Sequence, residues 1–141
     1  MIHIHEKALA IMVADAEKSF PDECCGFVFG AEKEGVRQVE AVLVVDNAKE
    51  GDKRRRFRIT PKDYLRAEAF AETGGLQLLG IYHSHPDHPP IPSEHDRVAA
   101  QPYFSYLILS VRAGRFEQLR SWILNESLQF DEEDISYKIN K

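Results

Sequence analysis

Apolar side chains at Leu9, Met12, Val13 and Ala16 recur at helical spacing within residues 5–19, while Glu6, Lys7, Asp15 and Lys18 fall on the other side. Phe20-Pro21 stops that helix, because the residue before a proline is biased away from helical geometry. Residues 24–29 then read as a buried strand closed by Gly30, and residues 36–45, with Val39, Val42, Val44 and Val45, as a second strand. Gly35 between them predicts a hairpin. After Asn47 the pattern turns polar, and a short strand follows over residues 57–59. Thr60-Pro61 marks a helix start, and Tyr64, Leu65, Ala67 and Phe70 carry that helix to Gly74-Gly75.

Residues 76–82 form an apolar run of strand length that leads straight into His83-Ser84-His85-Pro86. A proline-rich loop follows, and Ser93 caps a short helix through about residue 101. Residues 105–111 and 115–124 predict a hairpin around Ala113-Gly114, and a last strand over 127–130 precedes an acidic tail. The sum is a mixed α/β fold with a mostly antiparallel central sheet flanked by helices.

Composition narrows this picture. A chain of 141 residues, 43% hydrophobic and 29% charged, suits one globular domain over residues 1–141, with no linker or repeat dividing it. No apolar run approaches the roughly 20 residues of a membrane span. The N-terminal stretch lacks the features of a signal peptide, so a cytoplasmic location is expected. Cys24 and Cys25 are adjacent and would point to opposite faces of a strand, which argues against a disulfide and for a reducing compartment. A formal net charge of −5 argues against a protein built to hold nucleic acid. Lys53-Arg54-Arg55-Arg56 is the local exception. It reads as a solvated loop, with docking of an acidic partner as the alternative.

The candidate chemistry lies around His83 and His85. Two residues apart on a strand, their side chains emerge on one face, close enough to grip one ion. Pro86 ends the strand, and Asp96 follows at the start of the next helix. Two imidazoles and one carboxylate leave a fourth position for water, the arrangement of catalytic rather than structural zinc. Taken alone, a histidine pair near a strand end is more often filler, and His3, His5, His88 and His95 keep that reading, with hydrogen-bonding to the ligands or plain exposure open for His88 and His95.

The full string changes the weighing. His83-x-His85-Pro86, then Ser93 and Asp96, stands downstream of Pro21-x-Glu23-x-Cys25-Gly26. Together they resemble the JAMM, or MPN-plus, zinc metalloprotease family of the JAB1/MPN fold. The likeness extends over nearly the whole chain, taking in the opening helix, the Asp46-Asn47-Ala48 segment before Arg56-Phe57, the helix after Pro61 and the Trp122 strand. The compact prokaryotic branch, which acts on ubiquitin-like sulfur-carrier proteins, is the nearest in character.

The resemblance implies a JAB1/MPN-like, cytidine-deaminase-like architecture and one Zn2+ per chain, held by His83, His85 and Asp96. It makes Glu23 the catalytic base and Ser93 the donor that steadies the oxyanion. The implied reaction is hydrolysis of an amide bond after the C-terminal glycine of a small carrier protein, whose tail is the partner. Neither nucleic acid nor membrane is expected as a partner, and a homodimer is compatible with the chain. Ser93 also reads as a helix cap, and the two jobs are expected to compete for one hydroxyl. Cys24 and Cys25 are expected to pack beneath the site, with no matched base for a thiol mechanism. Two alternatives stand beside this reading: a non-enzymatic MPN interaction module, and a DNA-repair-associated protein of the RadC type, whose histidine string is similar.

Overall fold

The computed structural model describes residues 1–138. Residues 139–141, the last of the stretch expected to form one domain, lie outside the described residues. In chain order the elements are β1 (Ile2–Ile4), α1 (Glu6–Ser19), β2 (Cys25–Lys33), β3 (Val36–Val45), α2 (Pro61–Gly74), β4 (Gln77–Pro86), α3 (Glu94–Ala99), β5 (Ser105–Arg112), β6 (Arg115–Leu124), β7 (Phe130–Glu133) and β8 (Ile135–Ser136). The strands join in one sheet in the order β7-β6-β5-β4-β2-β3-β1-β8. The pairs β2–β3, β2–β4, β5–β6 and β6–β7 are antiparallel, whereas β4–β5 and the two pairs of β1 are parallel. The fold is therefore mixed α/β with a mostly antiparallel sheet, as the pattern predicts.

Period-two alternation sends the sheet's side chains to two cores. Cys24, Val28, Tyr82, Leu107 and Leu109 pack with Leu9, Met12 and Ala16 of α1. Cys25, Phe27, Phe29, Ile81 and Tyr106 pack on the other face with Ala67 and Ala71 of α2. Phe27 and Phe29 are fully buried, and truncating either to alanine is expected to cost about 3–5 kcal/mol. The adjacent cysteines thus point into different cores and are both free.

Local chemistry explains the helix ends. Thr60 and Asp63 form a reciprocal capping box at α2, and Gly75 closes it in the left-handed region (φ 66°), donating its N–H to Ala71 and Glu72 carbonyls. Gly26 answers a different need: a Cβ there would collide with the Tyr82 ring and the Leu43 carbonyl.

Several expectations are corrected. Gly30 does not close the strand expected over residues 24–29, which is β2, passes through a register shift at Phe29/Gly30 and continues to Lys33. Residues 57–59 are not a strand. Phe57 and Ile59 do turn toward the α2-side core, but Arg58 N–H donates to the Asn47 side chain and its carbonyl accepts from Ala48 N–H, so no ladder forms. The acidic tail is strand β7, displaced from the expected 127–130, and it pairs with β6. The helix opened by Ser93 is shorter than expected, ending at Ala99. Among the described residues no helix is long and apolar enough to cross a membrane.

Candidate metal centre

Strand register assembles the centre. Cys25 pairs with His83 across β2 and β4, so the chain just before β2 runs beside the end of β4. Cys24 N–H donates to Ser84 Oγ at 2.8 Å, and Ser84 N–H donates to the Cys24 carbonyl. The residue between the two histidines therefore anchors the segment that carries Glu23. Sixty positions of sequence separation vanish in one antiparallel pairing.

His83 and His85 share the α2-facing side of β4, with Ile81 below them. His83 is 1% exposed and stacks on Phe57, with ring centroids 4.5 Å apart. Its Nε2 lies 3.1 Å from Nε2 of His85 and 3.4 Å from Oδ2 of Asp96, and His85 Nε2 lies 3.3 Å from the same Oδ2. Around a four-coordinate zinc with bonds of about 2.0–2.1 Å, neighbouring donors lie about 3.3–3.4 Å apart. The triangle in this protein is of that size.

Donor chemistry agrees. His85 Nδ1 lies 2.9 Å from the Pro89 carbonyl, which can only accept, so neutral His85 carries its proton there and turns the Nε2 lone pair inward. Burial pushes the His83 pKa down, against the opposing pull of the nearby Asp96. Asp96 lies well below the usual carboxylate range. Burial opposes its charge, but His83, His85 and the Ser93 N–H together prevail. Two imidazoles and a carboxylate facing one another satisfy a cation far better than they satisfy each other.

Glu23 stands at the edge of this triangle. A carboxylate oxygen of Glu23 and one ring nitrogen from each of His83 and His85 lie within 4.8 Å of one another. Glu23 is only 5% exposed, and its Oε1, like Nδ1 of His83, is buried without a hydrogen-bond partner. Burial, reinforced by the charge of Asp96, pushes its pKa up to about 9, while Arg56 pulls the other way. A bound cation would supply the compensation this carboxylate lacks.

Ser93 is the N-cap of α3, and it forms a capping box with Asp96: Ser93 Oγ accepts from Asp96 N–H, and Ser93 N–H donates to Asp96 Oδ2 at 2.8 Å. The expected competition between capping and donation does not arise. The cap uses the hydroxyl as an acceptor and leaves its O–H free to donate.

Two cavities flank the centre. A groove of about 740 Å³ is lined by Glu23, Arg55, Arg56, His85, Ser93 and neighbours. A narrower one of about 260 Å³ lies against Phe57, Tyr64, Ile81, His83, Asp96 and Tyr106. Of the histidines read as filler, His3 and His5 bond to Ser136 and Gln38, whereas His88 and His95 line the groove. Of the two cysteines expected beneath the site, only Cys25 packs on the face that carries His83 and His85, whereas Cys24 points into the α1-side core. Burial raises both thiols, Cys25 to about 12, so neither is a ready nucleophile.

Sequence reasoning gave Asn47 no role. Its side chain donates to the carbonyls of Glu23 and Arg56 and accepts from the N–H groups of Lys49 and Arg58, tying the 48–58 loop to the Glu23 segment. The available signals are an asparagine opening a long polar loop and its place in the Asp46-Asn47-Ala48 segment of the family likeness. The prolines of the 86–92 loop act similarly through their carbonyls, Pro89 on His85 and Pro90 on the Trp122 indole N–H.

The family model described as prokaryotic homologues of the JAB domain matches residues 5–125, a stretch that contains Glu23, His83, His85, Ser93 and Asp96. A desampylase from Pyrococcus furiosus is 31% identical over 110 residues, 78% of this chain and 72% of that protein. A CysO-cysteine peptidase from Mycobacterium tuberculosis is 30% identical over 112 residues, covering 79% and 74%. The solved JAB1/MPN domain protein from Archaeoglobus fulgidus superposes with a TM-score of 0.58 at 15% identity, over 99% of this chain and 97% of that one. At that identity the likeness speaks to the fold alone.

Proposed function

The chain belongs to the prokaryotic homologues of the JAB domain, and from that premise we propose that it is a zinc-dependent peptidase acting after the C-terminal glycine of a small ubiquitin-like or sulfur-carrier protein. The observation that carries the reading is the convergence of His83 Nε2, His85 Nε2 and Asp96 Oδ2 within 3.4 Å, with Glu23 buried at the rim. The names of the two relatives, a desampylase and a CysO-cysteine peptidase, support the substrate class.

In this reading His83, His85 and Asp96 hold the metal. Zinc bound there supplies a Lewis acid that polarises the scissile carbonyl and brings the pKa of water to about 7. Glu23 takes the proton from the attacking water and passes it to the leaving amine, so that nitrogen departs neutral. Ser93 donates its free O–H to the carbonyl oxygen as charge builds there. The Pro89 carbonyl holds His85 in the tautomer that faces inward. The free, buried Cys24 and Cys25 agree with a cytoplasmic setting.

The test is intact-mass analysis of a sulfur-carrier protein bearing residues after its terminal Gly-Gly. Incubation with zinc-loaded protein is expected to remove those residues, and chelation to stop it. Cleavage elsewhere, or cleavage that survives full metal removal, would overturn the reading.

A further inference from the structure

Arg55 and Arg56 belong to the basic run that the sequence leaves as solvated loop, yet both line the groove that holds Glu23 and Ser93. Among the described residues neither guanidinium makes an ion pair, in contrast to Arg37, Arg66, Arg97, Arg112 and Arg120. Two of the acidic groups around them are committed elsewhere, and Glu23 feels the charge of Arg56 without forming an ion pair with it. Glu94 is gripped by Arg97, and Asp52 accepts the Arg54 N–H. Asn47 accepts from Arg58 N–H and donates to the Arg56 carbonyl, so this stretch of loop is held over the groove. His88 and His95 line the same groove.

Direction along the groove follows from chemistry. Resting on the function proposed above, the group that returns a proton to the leaving amine must lie on the leaving-group side. That group is Glu23, which lines the basic groove and not the aromatic cavity. In a residue joined through its α-amine, the carboxyl carbon sits only about 2.5 Å from that nitrogen. In a lysine joined through its side chain, the carboxylate is far away.

We propose that Arg55 and Arg56 form a subsite for the free α-carboxylate of the group released, so that the enzyme selects carrier proteins extended by one or a few residues. Guanidinium forks suit this task, because they pair with a carboxylate through two parallel hydrogen bonds. The arginines set specificity, whereas the chemistry stays with Glu23 and Ser93.

The test uses two peptides that end in the carrier's Gly-Gly followed by one residue, one as the free acid and one as the carboxamide. Their binding to zinc-loaded Glu23→Gln protein is measured by calorimetry, so the readout is independent of turnover. The free acid is expected to bind about tenfold or more tightly, as a lost charged hydrogen-bond pair requires. In the Arg55→Ala/Arg56→Ala protein that preference should vanish. Arg54→Ala, in the same run but outside the groove lining, should retain it and so separates a subsite from general basic charge. Equal binding of acid and amide, a preference that survives the double substitution, or no binding of either peptide would each overturn the proposal. Failure of cleavage with the acid preference intact would instead count against the hydrolase reading alone.

Discussion

His83 and His85 sit in a strand hydrogen-bonded on both sides, between β2 and β5, whereas Arg55 and Arg56 sit in a loop tied down by the side chain of Asn47. The first pair is buried and the second exposed. A ligand set tolerates little displacement, and a central strand offers the least. A loop can change length and charge without disturbing the sheet, which makes it the place to adjust what a site accepts. On the reading proposed above, the contrast gives metal binding to the strand-borne half and selection to the loop-borne half.

Asp96→Asn strikes the first half hardest. It should lower bound zinc and turnover together, by more than the roughly 10- to 100-fold that losing a hydrogen bond to a ligand costs. Zinc analysis with a cleavage assay decides it, and full zinc with normal turnover would remove Asp96 from the ligands. Ser93→Ala should slow turnover about 100-fold while zinc stays bound. An unchanged rate would leave Ser93 as a cap only. Asn47→Ala probes the second half: zinc should remain, stability should fall by about 1–3 kcal/mol, and proteases should cut within residues 48–58. Loss of zinc in that variant would show that the halves are not separable.

A further effect is one of pH. In the metal-free protein, burial and the charge of Asp96 raise Glu23 from 4.5 to about 9. The folded chain then keeps a proton that the unfolded chain releases, so stability falls as pH rises through that window. Thermal melts should drop as pH rises through that window, and Glu23→Gln should flatten the dependence.

The same division governs what the sequence could reveal. Apolar spacing with a proline stop marks α1, spacing with a cap marks α2, and period two alone puts His83 and His85 on one face. β1 spans three residues, too few to carry a pattern. β7 hid within an acidic stretch because an edge strand bonds through its backbone while its charges face outward: Glu132 pairs with Arg120, and only Glu133 turns inward, accepting from Ser105 and Ser121. Asn47, Arg55 and Arg56 lie where no periodicity exists; the family likeness takes in Asn47 and Arg56 without giving either a role, and three-dimensional placement supplies it. The placement of Glu23 beside His85 depends on a strand register that composition does not encode.

The most direct test of the account is zinc content and turnover measured together on Glu23→Gln. About one zinc per chain with turnover reduced roughly 100- to 10,000-fold is the predicted result, since the amide keeps the site's shape but cannot carry the proton. Near-normal turnover with zinc bound would contradict it.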